Sequence, residues 1–301
     1  MTVKTLLNVE GLRKSFTANR RTVHALNGIS LTLRQGETLG IIGESGSGKS
    51  TLGRIAVGLD TLTSGELHIE GCRIDTLSAP MRREKLRQCQ MIFQDPYSSL
   101  NPRLKVGRQI GEGLFASGES DWRAINSKVR DLLARCGLEK DFAERYPHEF
   151  SGGQRQRIAI ARALAPNPRI VVADEPVSAL DVTIQAQILD LLAELKKVEN
   201  LSYIFISHDM AVVARLCDRV AVMHRGRIVE CGPVEAVIEN AQRPYTRNLL
   251  EAVPRFGRRR TGQRPAPVTL PQHEDGDNFV TVSEGHTVLQ ASASTCRGTG
   301  Q

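Results

Sequence analysis

The sequence contains few aromatic residues and no long apolar run. Phe, Trp and Tyr make up only 4% of its 301 residues, and the formal charge of +7 is not gathered into a basic run interleaved with aromatics. We therefore predict no nucleic-acid partner. No stretch reaches the roughly 18 consecutive apolar residues that are needed to cross a bilayer. If the protein acts at a membrane, it must therefore dock onto another chain that spans it.

Paired cysteines are also missing from the sequence. The six cysteines are Cys72, Cys89, Cys136, Cys217, Cys231 and Cys296. None forms a C-x-x-C pair, which argues against a zinc site and a disulfide framework and fits a reducing cytoplasm. Residues 1–12 lack the charged start, apolar stretch and cleavage site of a secretory signal, so we expect none.

The pattern of apolar residues predicts strands that alternate with helices. Residues 6–12 and 29–33 alternate apolar and polar side chains as half-buried antiparallel strands do, whereas 38–42 is compactly apolar. Further strands are predicted at 66–69, 91–94, 170–173, 203–206 and 219–223, and helical stretches at 49–59, within 106–144, at 154–164 and at 184–198. This order favours a doubly wound α/β fold with a parallel sheet.

A glycine-rich segment lies between a predicted strand and a predicted helix. It matches G-x-x-x-x-G-K-[ST] and consists of Gly43, Glu44, Ser45, Gly46, Ser47, Gly48, Lys49, Ser50 and Thr51. Glycines allow the backbone N–H groups to face phosphates at the positive end of the following helix. Lys49 is expected to neutralise the β- and γ-phosphates of a nucleotide, and Ser50 to hold Mg²⁺. The strand–helix setting makes a chance glycine-rich turn the weaker interpretation.

Two adjacent carboxylates, Asp174 and Glu175, follow the apolar strand at 170–173. In an open α/β sheet this edge faces the ligand. Asp174 suits a water-mediated contact with Mg²⁺. Glu175 is expected to accept a proton from the water that attacks the γ-phosphate, a role worth about 10²–10⁴ in rate. Alone, such a pair is more often a solvated strand end. Together with the glycine-rich loop it indicates a P-loop NTPase and no more.

The segment Ser151-Gly152-Gly153-Gln154, preceded by Phe150, resembles the signature of the ABC family, which usually has Leu where this chain has Phe150. A Ser-Gly-Gly before a helix can cradle a second anion, although the pattern alone equally fits an ordinary helix cap at Ser151. The resemblance implies a RecA-like P-loop NTPase core with a parallel sheet, an antiparallel β subdomain and a helical ABC-specific subdomain at about residues 95–165.

Other residues stand where the ABC family places its landmarks. Gln94 is similar to the glutamine that contacts Mg²⁺ and senses the membrane partner, and His208 to the γ-phosphate histidine. Asp181 lies in a segment, 178–181, that resembles the loop acting across the dimer. Phe16 matches the position of an aromatic under the adenine ring. Each of these residues alone is as easily structural, and their order along the chain gives them weight.

The resemblance implies a shared site. In ABC proteins two such domains pair head to tail, so that ATP lies between the phosphate loop of one and the Ser-Gly-Gly of the other. Ser151, Gly153 and Gln154 are therefore expected to act on the nucleotide of the partner. Whether the second ATPase is a copy of this chain or a related one stays open.

Three further segments narrow the resemblance. Residues 93–103, 147–151 and 243–247 are similar to the ATPases of dipeptide, oligopeptide and nickel importers. Such an ATPase works peripherally at the cytoplasmic face of the bacterial inner membrane, with two membrane permease subunits and, indirectly, an extracytoplasmic solute-binding protein. The match suggests an ATPase domain at 1–254 and a loosely ordered extension at 255–301. The extension holds only Cys296, so no iron–sulfur cluster is expected, and its Arg-rich part (255–264) fits a solvated tail better than a lipid contact.

Alternatives remain within and beyond this family. The residues leave the solute open: a peptide, nickel and glutathione all fit. A soluble ABC ATPase acting on nucleic acid or ribosomes is disfavoured, because the chain has neither a long coiled coil or zinc module between Lys49 and Ser151 nor a second ATPase domain. A regulator that binds ATP without hydrolysing it is disfavoured by Glu175 and His208.

Overall fold

The strands of the chain form two sheets in the computed structural model, which describes residues 4–18, 21–251 and 279–289. The strands in those residues are β1 (Thr5–Ala18), β2 (Arg21–Arg34), β3 (Thr38–Ile42), β4 (Ser64–Ile69), β5 (Cys72–Arg73), β6 (Cys89–Ile92), β7 (Ile170–Asp174), β8 (Ser202–Ser207), β9 (Arg219–His224), β10 (Arg227–Pro233), β11 (Phe279–Ser283) and β12 (His286–Leu289). One sheet has the order β2-β1-β4-β5 and is antiparallel; the other has the order β11-β12-β10-β9-β3-β8-β7-β6.

Helices connect these strands and cover the larger sheet. They are α1 (Lys49–Ala56), α2 (Ala79–Leu86), α3 (Pro96–Ser99), α4 (Val106–Ala116), α5 (Trp122–Arg135), α6 (Gly152–Leu164), α7 (Val182–Val198), α8 (Met210–Leu216), α9 (Val234–Glu239) and α10 (Pro244–Glu251). Two 3₁₀ turns, Lys140–Glu144 and Pro147–Glu149, precede α6. Within the described residues no helix has the length and apolarity that a bilayer crossing needs.

The larger sheet has a parallel centre, as the sequence predicts. Strands β6, β7, β8, β3 and β9 run parallel, and β9 then pairs antiparallel with β10. Successive residues of β8 face two cores: Phe205 packs in the cluster that includes the helical region, and Ile206 in the cluster beneath the antiparallel sheet. Burial on both faces explains why these strands are continuous apolar runs rather than alternating ones.

The helical region between β6 and β7 packs on its own apolar stripe. In α5 the side chains of Ile125, Val129 and Leu133 repeat every four residues and are fully buried. They meet Ile110 of α4 and Ile158 of α6 in one cluster. The helical period expected within 106–144 is thus present in α4 and α5, which supports the expectation of a helical insertion near residues 95–165.

The C-terminal extension contains a hairpin that the sequence analysis did not predict. For residues 279–289 the expectation of loose order was wrong, because β11 and β12 form an antiparallel pair and β12 continues the large sheet through β10. The polar, Ser- and Thr-rich composition concealed two short alternating segments, whose pairing with β10 is a tertiary contact. Residues 255–278 and 290–301, with Cys296 and the Arg-rich segment, lie outside the described residues.

The double-sided burial of β8 makes its stability contribution testable. Phe205→Ala should lower the free energy of unfolding by about 3–5 kcal/mol, because it removes a fully buried ring and leaves a cavity that the flanking strands cannot close. Urea unfolding measures the loss. Val198→Ala, at a position 70% exposed at the end of α7, is the control and should change stability by less than about 0.5 kcal/mol. Equal losses in the two variants would contradict this packing.

Candidate functional site

The glycine-rich loop joins β3 to α1 and depends on glycine at two positions. Gly43 has φ +154°, and a Cβ there would lie 2.1 Å from the carbonyl oxygen of Met223. Gly48 has φ +103°, and its Cβ would lie 2.5 Å from the carbonyl oxygen of Ala25. Any larger residue would push the loop off the sheet. The helix that follows starts at Lys49 with no side-chain cap, which leaves its first N–H groups available to an anion.

Lys49 is buried inside this loop and holds it together. Its Nζ donates to the carbonyl oxygens of Gly43 at 2.7 Å and of Glu44 at 2.9 Å. Burial lowers the pKa of Lys49, while the nearby carboxylates of Glu175, Asp174 and Glu44 act in the opposite direction. The ammonium therefore sits in a partly desolvated position among acidic groups, where a phosphate oxygen can replace the loop carbonyls as its partner.

The hydroxyl of Ser50 reaches the end of strand β7. Its Oγ donates to Asp174 Oδ1 at 3.0 Å. Burial raises the pKa of Asp174, and the hydrogen bond from Ser50 acts against that rise. The two oxygens are hard ligands of the kind that Mg²⁺ takes in small number, with phosphates and waters completing its shell. No cluster of three or more His, Cys, Asp or Glu residues able to hold a metal is found in the described part of the chain.

Glu175 is the meeting point of three segments. Its Oε2 accepts a hydrogen bond from Gln94 Nε2 at 3.0 Å and lies 3.1 Å from His208 Nδ1. Its backbone has φ +45°, which is unusual for a residue with a side chain and is held by an N–H bond to Ile206 O. The turn aims the carboxylate out of the sheet edge. Because Gln94 presents its nitrogen to Glu175, its amide oxygen is the atom left for a cation.

These segments enclose a cavity of about 640 Å³. The lining residues are Val23, His24, Ala25, Ser45, Gly46, Gly48, Lys49, Ser50, Thr51, Gln94, Glu175 and His208. Gly43, Glu44 and Ser47 shape the loop without lining the cavity. The volume and the mixed lining, with Val23, His24 and Ala25 on one side and the polar loop on the other, suit a ligand with one aromatic or apolar end and one anionic end.

Phe16, the residue proposed to lie under adenine, is not among the residues that line this cavity. It lies on β1, 43% exposed, and its cross-strand partner Val23 lines the cavity instead. Lys14 Nζ stands 4.8 Å from the centre of the Phe16 ring. Sequence reasoning missed residues 23–25, since a strand bordering a pocket carries no motif; only its pairing with β1 brings it to the loop.

The Ser-Gly-Gly segment lies away from the cavity lining. Ser151 is exposed and caps α6: its N–H donates to Gln154 Oε1 at 3.0 Å, and Gln154 N donates back to its Oγ at 3.4 Å. A Cβ on Gly153 would lie 2.7 Å from Ile184 Cγ2, so packing against α7 requires glycine there. Asp181 similarly caps α7 through Ile184 N at 3.0 Å. Both helix starts are thus intact, and Ser151 is open to a second chain.

The chain matches two family models. Residues 26–178 match the model described as ABC transporter, and residues 229–280 match the model described as oligopeptide/dipeptide transporter, C-terminal region. The first match covers the loop, Gln94, the Ser-Gly-Gly segment and Glu175. The second begins within β10 and covers the helices α9 and α10 that follow it.

Curated proteins and solved structures resemble the chain as well. It is 54% identical over 256 residues to the glutathione import ATP-binding protein GsiA of Salmonella choleraesuis, a match that covers 83% of this chain and 41% of that protein. The GsiA protein of Escherichia coli K12 is 50% identical over 281 residues, or 90% of this chain and 45% of that protein. The chain thus spans less than half the length of these relatives.

Two solved structures share the fold. The ATP-binding cassette MJ0796, solved as a dimer bound to ADP and Pi, has a TM-score of 0.69 and 30% identity over 76% of this chain and 99% of that one. The protein cbiO1 from Clostridium perfringens, part of the ABC transporter complex cbiONQ, also has a TM-score of 0.69 and 30% identity. That match covers 79% of this chain and 92% of the cbiO1 chain.

The contacts of Glu175 predict the outcome of replacing it. Glu175→Gln should leave ATP binding intact, because the phosphate loop is untouched, while turnover falls by about 10²–10⁴-fold through loss of the proton acceptor. Single-turnover hydrolysis and equilibrium ATP binding measure the two effects. Glu194→Gln, which removes an exposed carboxylate from α7, is the matched control. Unimpaired turnover in Glu175→Gln would remove this residue from the chemistry.

Proposed function

Because the chain belongs to the ABC transporter family, we propose that it is the ATP-hydrolysing subunit of a bacterial importer for short peptides or a similar small solute. The observation that carries this proposal is the convergence of the phosphate loop, Gln94, Glu175 and His208 on one cavity. The match of residues 229–280 to a peptide-transporter region narrows it to importers of the peptide type.

The loop binds the triphosphate in this proposal. Its backbone N–H groups and the start of α1 face the phosphates, and Lys49 exchanges the carbonyl oxygens of Gly43 and Glu44 for β- and γ-phosphate oxygens. The base rests against the strand at residues 23–25, where Val23 and Ala25 give the cavity apolar lining beside His24. This orientation places the γ-phosphate towards the end of β7 and β8.

Hydrolysis then depends on groups at the ends of β7 and β8. Glu175 orients the attacking water and takes its proton, while His208, which lies 3.1 Å from Glu175, reaches the γ-phosphate. Ser50, Asp174 and Gln94 are the residues that would hold Mg²⁺. When bound, that cation would neutralise negative charge on the β- and γ-phosphate oxygens. The protein alone would not do so, because its site has one buried ammonium and several carboxylates.

A second ATPase subunit completes each site. Ser151, Gly153 and Gln154 lie outside the cavity of their own chain, and Ser151 is exposed. We expect the start of α6 and the Asp181 loop to face the nucleotide of the partner. Binding of ATP then closes the pair, hydrolysis reopens it, and the helical region following Gln94 passes the motion to two permease subunits. The chain would act peripherally at the cytoplasmic face of the membrane.

Glutathione is the second candidate among the solutes. It is a tripeptide, and the relatives named as glutathione import proteins are 50–54% identical to the chain. A nickel importer of the same family is supported by motif similarity alone. The solute itself would be selected by the permeases and an extracytoplasmic binding protein, so the ATPase residues do not separate these cases.

Uptake by cells tests the importer proposal. Deletion of the gene should abolish uptake of a labelled short peptide, glutathione or Ni²⁺, and the affected solute identifies the cargo. Lys49→Ala should fail to restore uptake, whereas Lys197→Ala, an exposed lysine at the end of α7, should restore it fully. Unchanged uptake of all three solutes, together with a growth defect tied to translation or DNA repair, would favour a soluble ABC ATPase instead.

The shared-site arrangement predicts a lesion that acts on the partner. Ser151→Arg should leave ATP binding to the isolated chain within about twofold but lower turnover by about 10²-fold or more, since a cationic side chain replaces the anion cradle offered to the second nucleotide. Ser117→Arg, the same change at an exposed site after α4, is the control. Full-rate hydrolysis by a monomer at high dilution would contradict a shared site.

A further inference from the structure

Tyr245 connects the C-terminal part of the chain to the phosphate loop. It lies in α10, within the segment 243–247 that sets this chain apart from the ABC core, and is only 4% exposed. Its Oη accepts a hydrogen bond from Glu44 N at 3.0 Å and donates to Met223 O at 3.4 Å. The hydroxyl therefore bridges the end of β9 and the entrance of the loop, at the place where Gly43 packs against the same Met223 carbonyl.

The environment of Tyr245 fixes both its position and its protonation state. Its ring lies 4.3 Å from that of His224, centre to centre. Burial raises the pKa of Tyr245, so the phenol keeps its proton and can donate and accept at once. A rigid ring with a neutral hydroxyl is suited to holding two backbone groups at a set separation.

Two side chains hydrogen-bond to the backbone of Glu44. Tyr245 Oη binds its N–H, while Lys49 Nζ binds its carbonyl oxygen at 2.9 Å. When Lys49 turns to a phosphate, its hold on that carbonyl is lost. Tyr245 is not among the residues that line the cavity, so its bond to Glu44 need not break when a nucleotide binds.

The start of α10 is itself anchored. Glu230 of β10 is fully buried and accepts hydrogen bonds from Gln242 N at 2.9 Å and Arg243 N at 3.2 Å. The same carboxylate lies 2.8 Å from Nε2 of the fully buried His286 in β12. Because a buried carboxylate must keep its partners, this cluster holds α10, and with it Tyr245, against the sheet.

We propose that Tyr245 is a positioning residue that keeps the phosphate loop in its nucleotide-binding conformation. Without the hydroxyl, Glu44 N–H loses its buried acceptor and the loop samples other conformations. Affinity for a nucleotide falls by the fraction of chains whose loop is competent. The effect should therefore appear in ATP binding and KM, while the rate at saturating ATP, set by Glu175 and its neighbours, is retained.

Tyr245→Phe tests this role, because it keeps the ring and removes only the hydroxyl. The Kd for ATP should rise about three- to thirty-fold, the range expected when a partly buried N–H loses its acceptor. Turnover at saturating ATP should stay within about twofold. Thr246→Val is the control: it removes the neighbouring hydroxyl of α10, which is fully buried and has no hydrogen-bond partner, and should leave the Kd unchanged.

Amide hydrogen exchange gives a readout that a general packing defect would not reproduce. In the nucleotide-free wild-type chain the Glu44 amide should be protected, and Tyr245→Phe should accelerate its exchange without changing that of β7 or β8. An unprotected Glu44 amide in the wild type, an unchanged Kd in Tyr245→Phe, equal weakening in Thr246→Val, or a loss of saturated turnover at unchanged Kd would each overturn the proposal.

Discussion

The parallel pairing of β7, β8 and β3 is the constraint on which the site depends. Ile42 at the end of β3 pairs with Ser207 of β8, and Asp174 at the end of β7 pairs with Ile206. Parallel strands that end in register deliver the next residues of each strand to the same edge. The phosphate loop, Glu175 and His208 therefore converge although more than 150 residues separate the loop from His208. The backbone ladder brings them together, and their side chains need only short reach.

Electrostatics then makes this edge selective for a cation and an anion together. Asp174 and Glu175 stand beside Lys49, and burial works against charge on both Asp174 and Lys49. A phosphate without a cation would be repelled by the two carboxylates, and a cation without a phosphate would be repelled by the Lys49 ammonium. A triphosphate carrying a divalent cation would satisfy both, since Ser50 and Asp174 would hold the metal and Lys49 would bind phosphate oxygens. The glycine-rich loop with Lys49 and the carboxylate pair of Asp174 and Glu175 are therefore complementary in charge.

Sequence alone predicted the parts of the site that local chemistry determines. The loop, the carboxylate pair and the helix starts have fixed spacings along the sequence, because each must present backbone N–H groups or a strand end. The strands at residues 38–42, 170–173 and 203–206 are recognisable because burial on two faces demands continuous apolar runs. Val23 and Tyr245 were missed in these roles because tertiary contact alone gives them a place at the site. Phe16 was assigned by family position, whereas in the structure its cross-strand partner Val23 is the residue that lines the cavity.

The same distinction between local signals and tertiary contacts explains why the C-terminal hairpin was not predicted. A Ser- and Thr-rich segment predicts little by itself, but β12 gains a partner in β10 and brings His286 to the buried Glu230. That carboxylate also accepts hydrogen bonds from the two backbone amides just before α10, so β10, the hairpin and the helix bearing Tyr245 share one buried carboxyl group. Burying a carboxylate is costly unless every partner is present. The described elements that follow β9 are therefore held as a unit whose Tyr245 hydroxyl contacts the glycine-rich loop at Glu44, which couples them to the cavity rather than leaving them as an appendage to the sheet.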